Sequence, residues 1–239
     1  GRGVAKAAAP GLAGPLAGIR LEVASAGLAV ANLESPLTAR PHDPASGPNA
    51  LEAPSASARF LAAAGFDAMG IANNHAGDTG PKTAADTMRA LSAAGLATVG
   101  AGRSAASAFA PLIVRAAGIR IALLSVDATG QGRRAGRAEP GVAWWDEARM
   151  RAALARARSS ADIVAVGVHG GAEYVPVPDP SMTRIARLLA SWGADVVCGY
   201  GSFGRRRSLT RCRHTPTDIP AVARWYTKRK IATGATRAA

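Results

Sequence analysis

The 239-residue chain is short of cysteine, aromatic residues and acidic residues, and it lacks any long apolar run. Its two cysteines, Cys198 and Cys212, give no disulfide framework. Cys198 closes an apolar run, where a small buried thiol packs readily. With only 5% aromatic residues, the core must be built mostly from Ala, Val, Leu and Ile. No stretch reaches the roughly 18 apolar residues of a membrane span, so no membrane span is read in this chain. The first 31 residues are rich in Ala and Gly but lack the basic, apolar and cleavage-site layout of a signal peptide.

Acid is scarce in an uneven way. The chain carries 29 Lys and Arg against 16 Asp and Glu, a net charge of +13. Residues 201–239 hold 10 of those basic residues and one acid, Asp218, for a net of +9, which leaves residues 1–200 at +4. The body is ordinary in charge and the basicity belongs to the C-terminal segment. The basic stretches "RRRSLTRCRH" and "TKRK" have neither interleaved aromatics nor a recognisable reading motif, which argues against nucleic acid as the partner.

What the chain does have is a recurring phrase of helix, glycine, short apolar strand and polar loop. It occurs in "ARFLAAAGFDAMGIANN", "TAADTMRALSAAGLATVGAG" and "MTRIARLLASWGADVVCGYG". In each, apolar residues at helical spacing lead to a Gly suited to a left-handed cap, and a strand follows. Such alternation with continuous apolar strands predicts a largely parallel sheet covered by helices on both faces. Further strands are expected at 27–33, 111–117, 119–126 and 162–169, with a hairpin around Gly118 and a helix over 146–159. Residues 40–54 read as a Pro-rich loop, and residues 127–141 as a mobile loop rich in Gly and Arg. The periodic pattern fades after Gly199. The chain therefore divides into a poorly defined segment 1–18, one α/β domain over 19–199 and an irregular basic tail over 200–239.

In an open parallel sheet, ligands gather beyond the carboxyl ends of the strands. Three of the predicted strands end in groups that can hold a metal or move a proton. Strand 27–33 leads to Asn32 and Glu34, strand 66–72 leads to Asn73, Asn74 and His75, and strand 162–168 leads to His169 with Glu173 beyond it. Each has a structural reading as well: Glu34 could cap a turn, and Asn73 and Asn74 could simply supply turn geometry. Together, imidazole nitrogen, amide oxygen and carboxylate oxygen suit a divalent cation such as Mn, Zn or Fe. Asp78, three residues past His75, is spaced to orient that imidazole, which makes His75 a candidate proton donor. Asn73 and Glu173 are candidate substrate contacts.

The ordered set "VANLESPLT", "GFDAMGIANNHAGDTG", "AGLATVGAG" and "VHGGAEY…GADVV" resembles the CapA-like proteins of poly-γ-glutamate capsule synthesis, relatives of the calcineurin-like metallophosphoesterases. The resemblance spans about residues 19–199. It implies a four-layer αββα sandwich with a dinuclear metal site, in which Glu34, Asn74 and His169 are ligands and His75 is the acid. It also implies a role at the cell envelope with an anionic γ-linked glutamate polymer as substrate, and with capsule-synthesis proteins as partners.

The chain departs from the family pattern at three places. No Asp precedes Asp43, where a Gly-Asp strand end is expected. His169-Gly170-Gly171 stands in place of His-Trp-Gly. After "GADVV" the chain reads Cys198-Gly199-Tyr200 and then Arg205-Arg206-Arg207 in place of Gly-His-x-Pro-His, and the only later histidine is His214. Loss of the motif, loss of periodicity and the rise in charge coincide near residue 198. This predicts a gene truncated at its start and shifted in reading frame near codon 198. Two functions follow as expectations: a metal-dependent hydrolase or phosphoesterase-type enzyme with an incomplete ligand set, or an inactive protein that binds an anionic polymer through Arg133, Arg134, Arg137 and the tail arginines.

Overall fold

The helix–glycine–strand phrases are the building units of the molecule. The computed structural model describes residues 16–39, 49–172, 180–200 and 224–226. Its first half contains α1 (Arg20–Ala24), β1 (Ala29–Asn32), β2 (Leu37–Thr38), β3 (Ala53–Pro54), α2 (Ser57–Ala63), β4 (Ala68–Gly70), α3 (Thr83–Ala93), β5 (Ala97–Val99) and β6 (Ala101–Gly102). The second half contains α4 (Ala105–Ala108), β7 (Leu112–Ala116), β8 (Ile119–Asp127), β9 (Gly141–Val142), α5 (Glu147–Ser160), β10 (Ile163–His169), α6 (Pro180–Ser191), β11 (Val196–Tyr200) and β12 (Arg224–Tyr226).

The three glycines of the repeated phrase take the left-handed conformation expected of them: Gly65, Gly95 and Gly193 have φ of 94°, 78° and 101°. The hairpin at Gly118 also forms. Ala117 and Gly118 have φ of 48° and 79°, both positive, as a two-residue turn between antiparallel strands requires.

The strands assemble into two four-stranded sheets. The first runs β12-β1-β4-β5, all parallel, and the second β11-β10-β8-β7, parallel except for β7 at its edge. Three strand starts share one device. Asp67, Asp162 and Asp195 each donate a backbone N–H to the carbonyl of a residue at the start of a neighbouring strand, at 2.9 Å in every case. Their carboxylates accept the N–H of that same residue: Ala29 at 2.7 Å, Arg120 at 2.9 Å and Val164 at 2.7 Å. The aspartates of "FDA", "ADI" and "ADV" thus fix the register at the amino ends of the strands.

Residues alternate along each strand between two cores. Val30 and Leu123 face a central core shared by the two sheets, with Leu28, Ala68, Val99, Ile121, Ala165 and Cys198. Ala29, Ala31 and Met69 face outward to Val23, Ala58 and Leu91 of α1, α2 and α3. Ala122, Leu124 and Val166 face the opposite way, to Ala108, Met150, Leu154 and Leu189 of α4, α5 and α6. Three cores between four layers make an αββα sandwich, as expected. The buried thiol of Cys198 packs in the central core.

Three details differ from the sequence reading. Part of the Pro-rich stretch forms a small strand, with Leu37–Thr38 pairing Ala53–Pro54. Within the basic segment 200–239, read as irregular, Arg224–Tyr226 pairs in parallel with Ala29–Ala31. The loop 127–141, expected to be mobile, is pinned at both ends and in the middle, through Asp127, Gly132 and Val142. Among the described residues, no helix is long and apolar enough to cross a membrane.

Candidate functional site

The carboxyl ends of both sheets meet at one place, where Glu34, Asn73, Asn74, His75, Asp78 and His169 come together. Beyond β4 the chain turns through Asn73, Asn74 and His75. Asn73 is fully buried and shapes this turn: its Nδ2 donates to Asn32 Oδ1 at 3.2 Å and to the Leu33 carbonyl at 3.0 Å. Its Oδ1 accepts the backbone N–H of His75 at 3.1 Å. The amide expected to touch substrate is thus spent on protein partners, and Asn73 is a positioning residue that locks β1 to β4.

His75 is held by Asp78, as the spacing predicted. Nδ1 donates to Asp78 Oδ2 at 2.7 Å, and that same oxygen accepts the Leu51 backbone N–H at 2.6 Å. Fixing the proton on Nδ1 leaves Nε2 as the working nitrogen. It lies 3.9 Å from Glu34 Oε1, an electrostatic neighbour beyond hydrogen-bond range. His75, Asp78 and Glu34 are all partly exposed.

His169 ends β10 on the other sheet and closes the cleft from that side. Its Nε2 lies 2.8 Å from Asn74 Oδ1, a contact that bridges the two sheets. An amide oxygen only accepts, so Nε2 carries the proton in this arrangement. Burial lowers the His169 pKa from its ordinary 6.5 to about 4; the charge of Glu34 opposes that fall and His75 adds to it. The ring is therefore neutral near pH 7. Glu34, His75 and His169 thus sit within one another's electrostatic field. Glu173 lies outside the described residues.

One residue escaped the sequence reading. The strand read as 119–126 continues to Asp127, which is wholly buried and pairs in register with His169. Its carboxylate accepts from Thr129 N–H at 2.9 Å, Thr129 Oγ1–H at 2.6 Å and Gly132 N–H at 3.1 Å. Trp144 Nε1–H donates to the Gly132 carbonyl at 2.7 Å, and Arg134 stacks over the Trp144 ring at 5.7 Å. A Cβ on Gly132 would come within 2.3 Å of the Asn73 carbonyl. The loop therefore lies flat on the Asn73–Gly77 turn, held by a buried carboxylate. The signal that could have found Asp127 is the rule used for His169, an ionisable residue ending an apolar strand.

The donor set suits a borderline divalent cation in kind: Asn74 Oδ1, His169 Nε2 and the Glu34 carboxylate. The Asn74–His169 proton occupies the place a cation would take, so binding requires that proton to leave. Among the described residues no three His, Cys, Asp or Glu side chains lie close enough to hold a metal. The fit is to part of one ion's shell.

The bacterial capsule synthesis protein PGA_cap model matches residues 1–202. The chain belongs to that family. The PGA_cap match extends beyond the stretch 19–199 on which the motifs lie. The chain is 32% identical to the capsule biosynthesis protein CapA of Bacillus anthracis over 57% of its length, covering 34% of that relative. It is 33% identical to the PGA biosynthesis protein CapA of Bacillus subtilis (strain 168) over 60% of its length, covering 38% of that relative. The chain thus spans little more than a third of the relatives it matches. Among solved structures, the 5'-nucleotidase precursor of Thermus thermophilus is similar over 63% of this chain and 30% of its own, at 20% identity and a TM-score of 0.42.

Proposed function

We propose that this chain carries the site-bearing core of a poly-γ-glutamate capsule biosynthesis protein, a metal-dependent hydrolase-type site acting on an anionic γ-linked polymer at the cell envelope. The observation that carries this reading is the His75–Asp78 pair at 2.7 Å, with Nε2 left facing the cleft where both sheets end. Family membership and the names of the two relatives support the biological setting.

Each residue of the site has its own part. Asp78 keeps the His75 proton on Nδ1 and so leaves Nε2 as the nitrogen that takes up and hands on a proton. Glu34 Oε1 lies 3.9 Å from that nitrogen. His75 is then suited to deliver that proton to a departing amine or alkoxide. Asn74, His169 and Glu34 would hold the cation, which when bound supplies Lewis-acid polarisation of a substrate oxygen. The neutral state of His169 suits it to this task, since a protonated imidazole is no ligand. Capsule-synthesis proteins are proposed as partners of the complete protein.

The test measures metal content and turnover of a γ-linked glutamate oligomer side by side. His75→Asn should keep the metal and lose about a hundredfold or more in turnover; full activity in that variant removes His75 from the role of proton donor. His169→Ala should lose bound metal, and unchanged content would refute it as a ligand. A second reading, an inactive protein that grips the polymer through its arginines, draws support from the Arg133 Nε, buried without an acceptor among the described residues. Salt-sensitive binding without metal or turnover would favour it.

A further inference from the structure

Arg133 is built into the pinned loop yet has nothing to bind. Its backbone is fixed, with its carbonyl accepting Val142 N–H at 2.7 Å and its predecessor Gly132 tied to Asp127 at 3.1 Å. It lies against the turn that carries His75: a Cβ on Gly77 would come within 3.2 Å of Arg133 Cβ. Gly77 stands between His75 and Asp78 in sequence, so the base of the Arg133 side chain is set against the turn that carries that pair.

Its side chain differs from those of the other arginines. Among the described residues two arginines are partly buried, Arg120 and Arg133. Arg120 is paired with Asp162 at 2.7 Å. Among the described residues the Arg133 side chain has no hydrogen-bond, ion-pair or ring partner, and its Nε is shut off from solvent without an acceptor. Arg134, next in the chain, rests on Trp144, and Arg137 is exposed. A guanidinium N–H withdrawn from water without an acceptor carries a free-energy cost that a bound anion removes. A rigid planar fork of donors is suited to a carboxylate.

We infer that Arg133 is the anion anchor of the cleft, taking a substrate carboxylate beside the His75–Asp78 turn. The assignment of that carboxylate to a glutamyl chain rests on the function proposed above. The anchor itself rests on the geometry of the loop.

The experiment is calorimetric titration of the full chain with a γ-linked glutamate trimer and, separately, with inorganic phosphate, for wild type, Arg133→Gln, Arg133→Lys and, as a control at an exposed position of α5, Arg151→Gln. A short ligand avoids multivalent binding to the basic tail. Loss of a charge-assisted contact predicts a tenfold to hundredfold weaker trimer in Arg133→Gln, roughly the range for a hydrogen bond to a charged group. Arg133→Lys should fall between, and Arg151→Gln should stay within about twofold of wild type. Thermal melting of Arg133→Gln should match wild type, because the guanidinium makes no hydrogen bond or ion pair with the described residues and Gln keeps most of the packed stem. Equal trimer affinity in Arg133→Gln and wild type overturns the anchor, as does a melting point that falls with that substitution. If phosphate binds through Arg133 and the trimer does not bind at all, the anchor stands and the glutamyl reading fails. If wild type binds neither anion, the anchor is overturned.

Discussion

His169 is where burial and chemistry compete most directly. A buried neutral imidazole with its pKa depressed to about 4 resists protonation, while the unfolded chain takes up a proton near 6.5. Between those values the unfolded state binds more protons than the folded state. The stabilising contribution is complete above pH 6.5 and is lost as pH falls toward 4, with a slope of at most about 1.4 kcal/mol per pH unit. The full window amounts to something on the order of 3 kcal/mol. In chelator-treated protein, urea unfolding at a series of pH values from about 7.5 to about 4 should show this loss, and His169→Gln should flatten it. A pH slope that survives the substitution intact would assign the acid sensitivity to other groups.

Among the elements, the loop 128–137 is the one whose conformation matters most for the site. Three donors converge on the buried Asp127 carboxylate, and Gly132 allows the loop to settle directly on the Asn73 carbonyl. Gly132→Ala would place a methyl group 2.3 Å from that oxygen and 2.8 Å from Asp127 Oδ2, which the backbone must relieve by lifting away. The expected cost is about 1–3 kcal/mol, the usual range for overpacking, read as a shift in the urea midpoint. Anion binding should weaken with it, since Arg133 moves with the loop. If Gly132→Ala unfolds at the wild-type midpoint, the loop is not packed against the turn as described. The glycine and arginine content of this segment suggested mobility because composition reports propensity; the restraint comes from Asp127 and Trp144, one before the loop and one after it.

For the whole molecule, the central core joins the two halves of the cleft. Leu123 is wholly buried between the sheets, with Val30 and Val99 across from it. Leu123→Ala should destabilise by about 2–5 kcal/mol, the range for large-to-small changes in a packed core. Because both sheets share this cluster, the loss should appear as one displaced transition by tryptophan fluorescence and by circular dichroism alike. Separate transitions from the two probes would mean that the sheets fold independently. The cleft depends on this coupling, since Asn74 belongs to one sheet and His169 to the other, and their 2.8 Å contact exists only while the sheets stay packed.

The sequence by itself determined the local units and the chemical types at the site. Helix–glycine–strand phrases set α2-β4, α3-β5 and α6-β11, because a left-handed cap demands glycine and a doubly covered strand demands a continuous apolar run. The rule that ligands gather at strand ends picked out Glu34, Asn74, His75 and His169, and three-residue spacing picked out Asp78 for His75. Only the tertiary structure decided how those residues are used. Asn73 became a strut because its amide is taken up across the β1–β4 seam by Asn32 and Leu33, and Asp127 a loop anchor because its buried carboxylate gathers Thr129 and Gly132. Arg133 stands apart from its neighbouring arginines because its Nε is buried without an acceptor, whereas Arg134 rests on Trp144 and Arg137 is exposed. Propensity and spacing are local properties, while burial and pairing across 41 or 95 residues, as in Asn32–Asn73 and Asn74–His169, exist only once the two sheets have closed on each other.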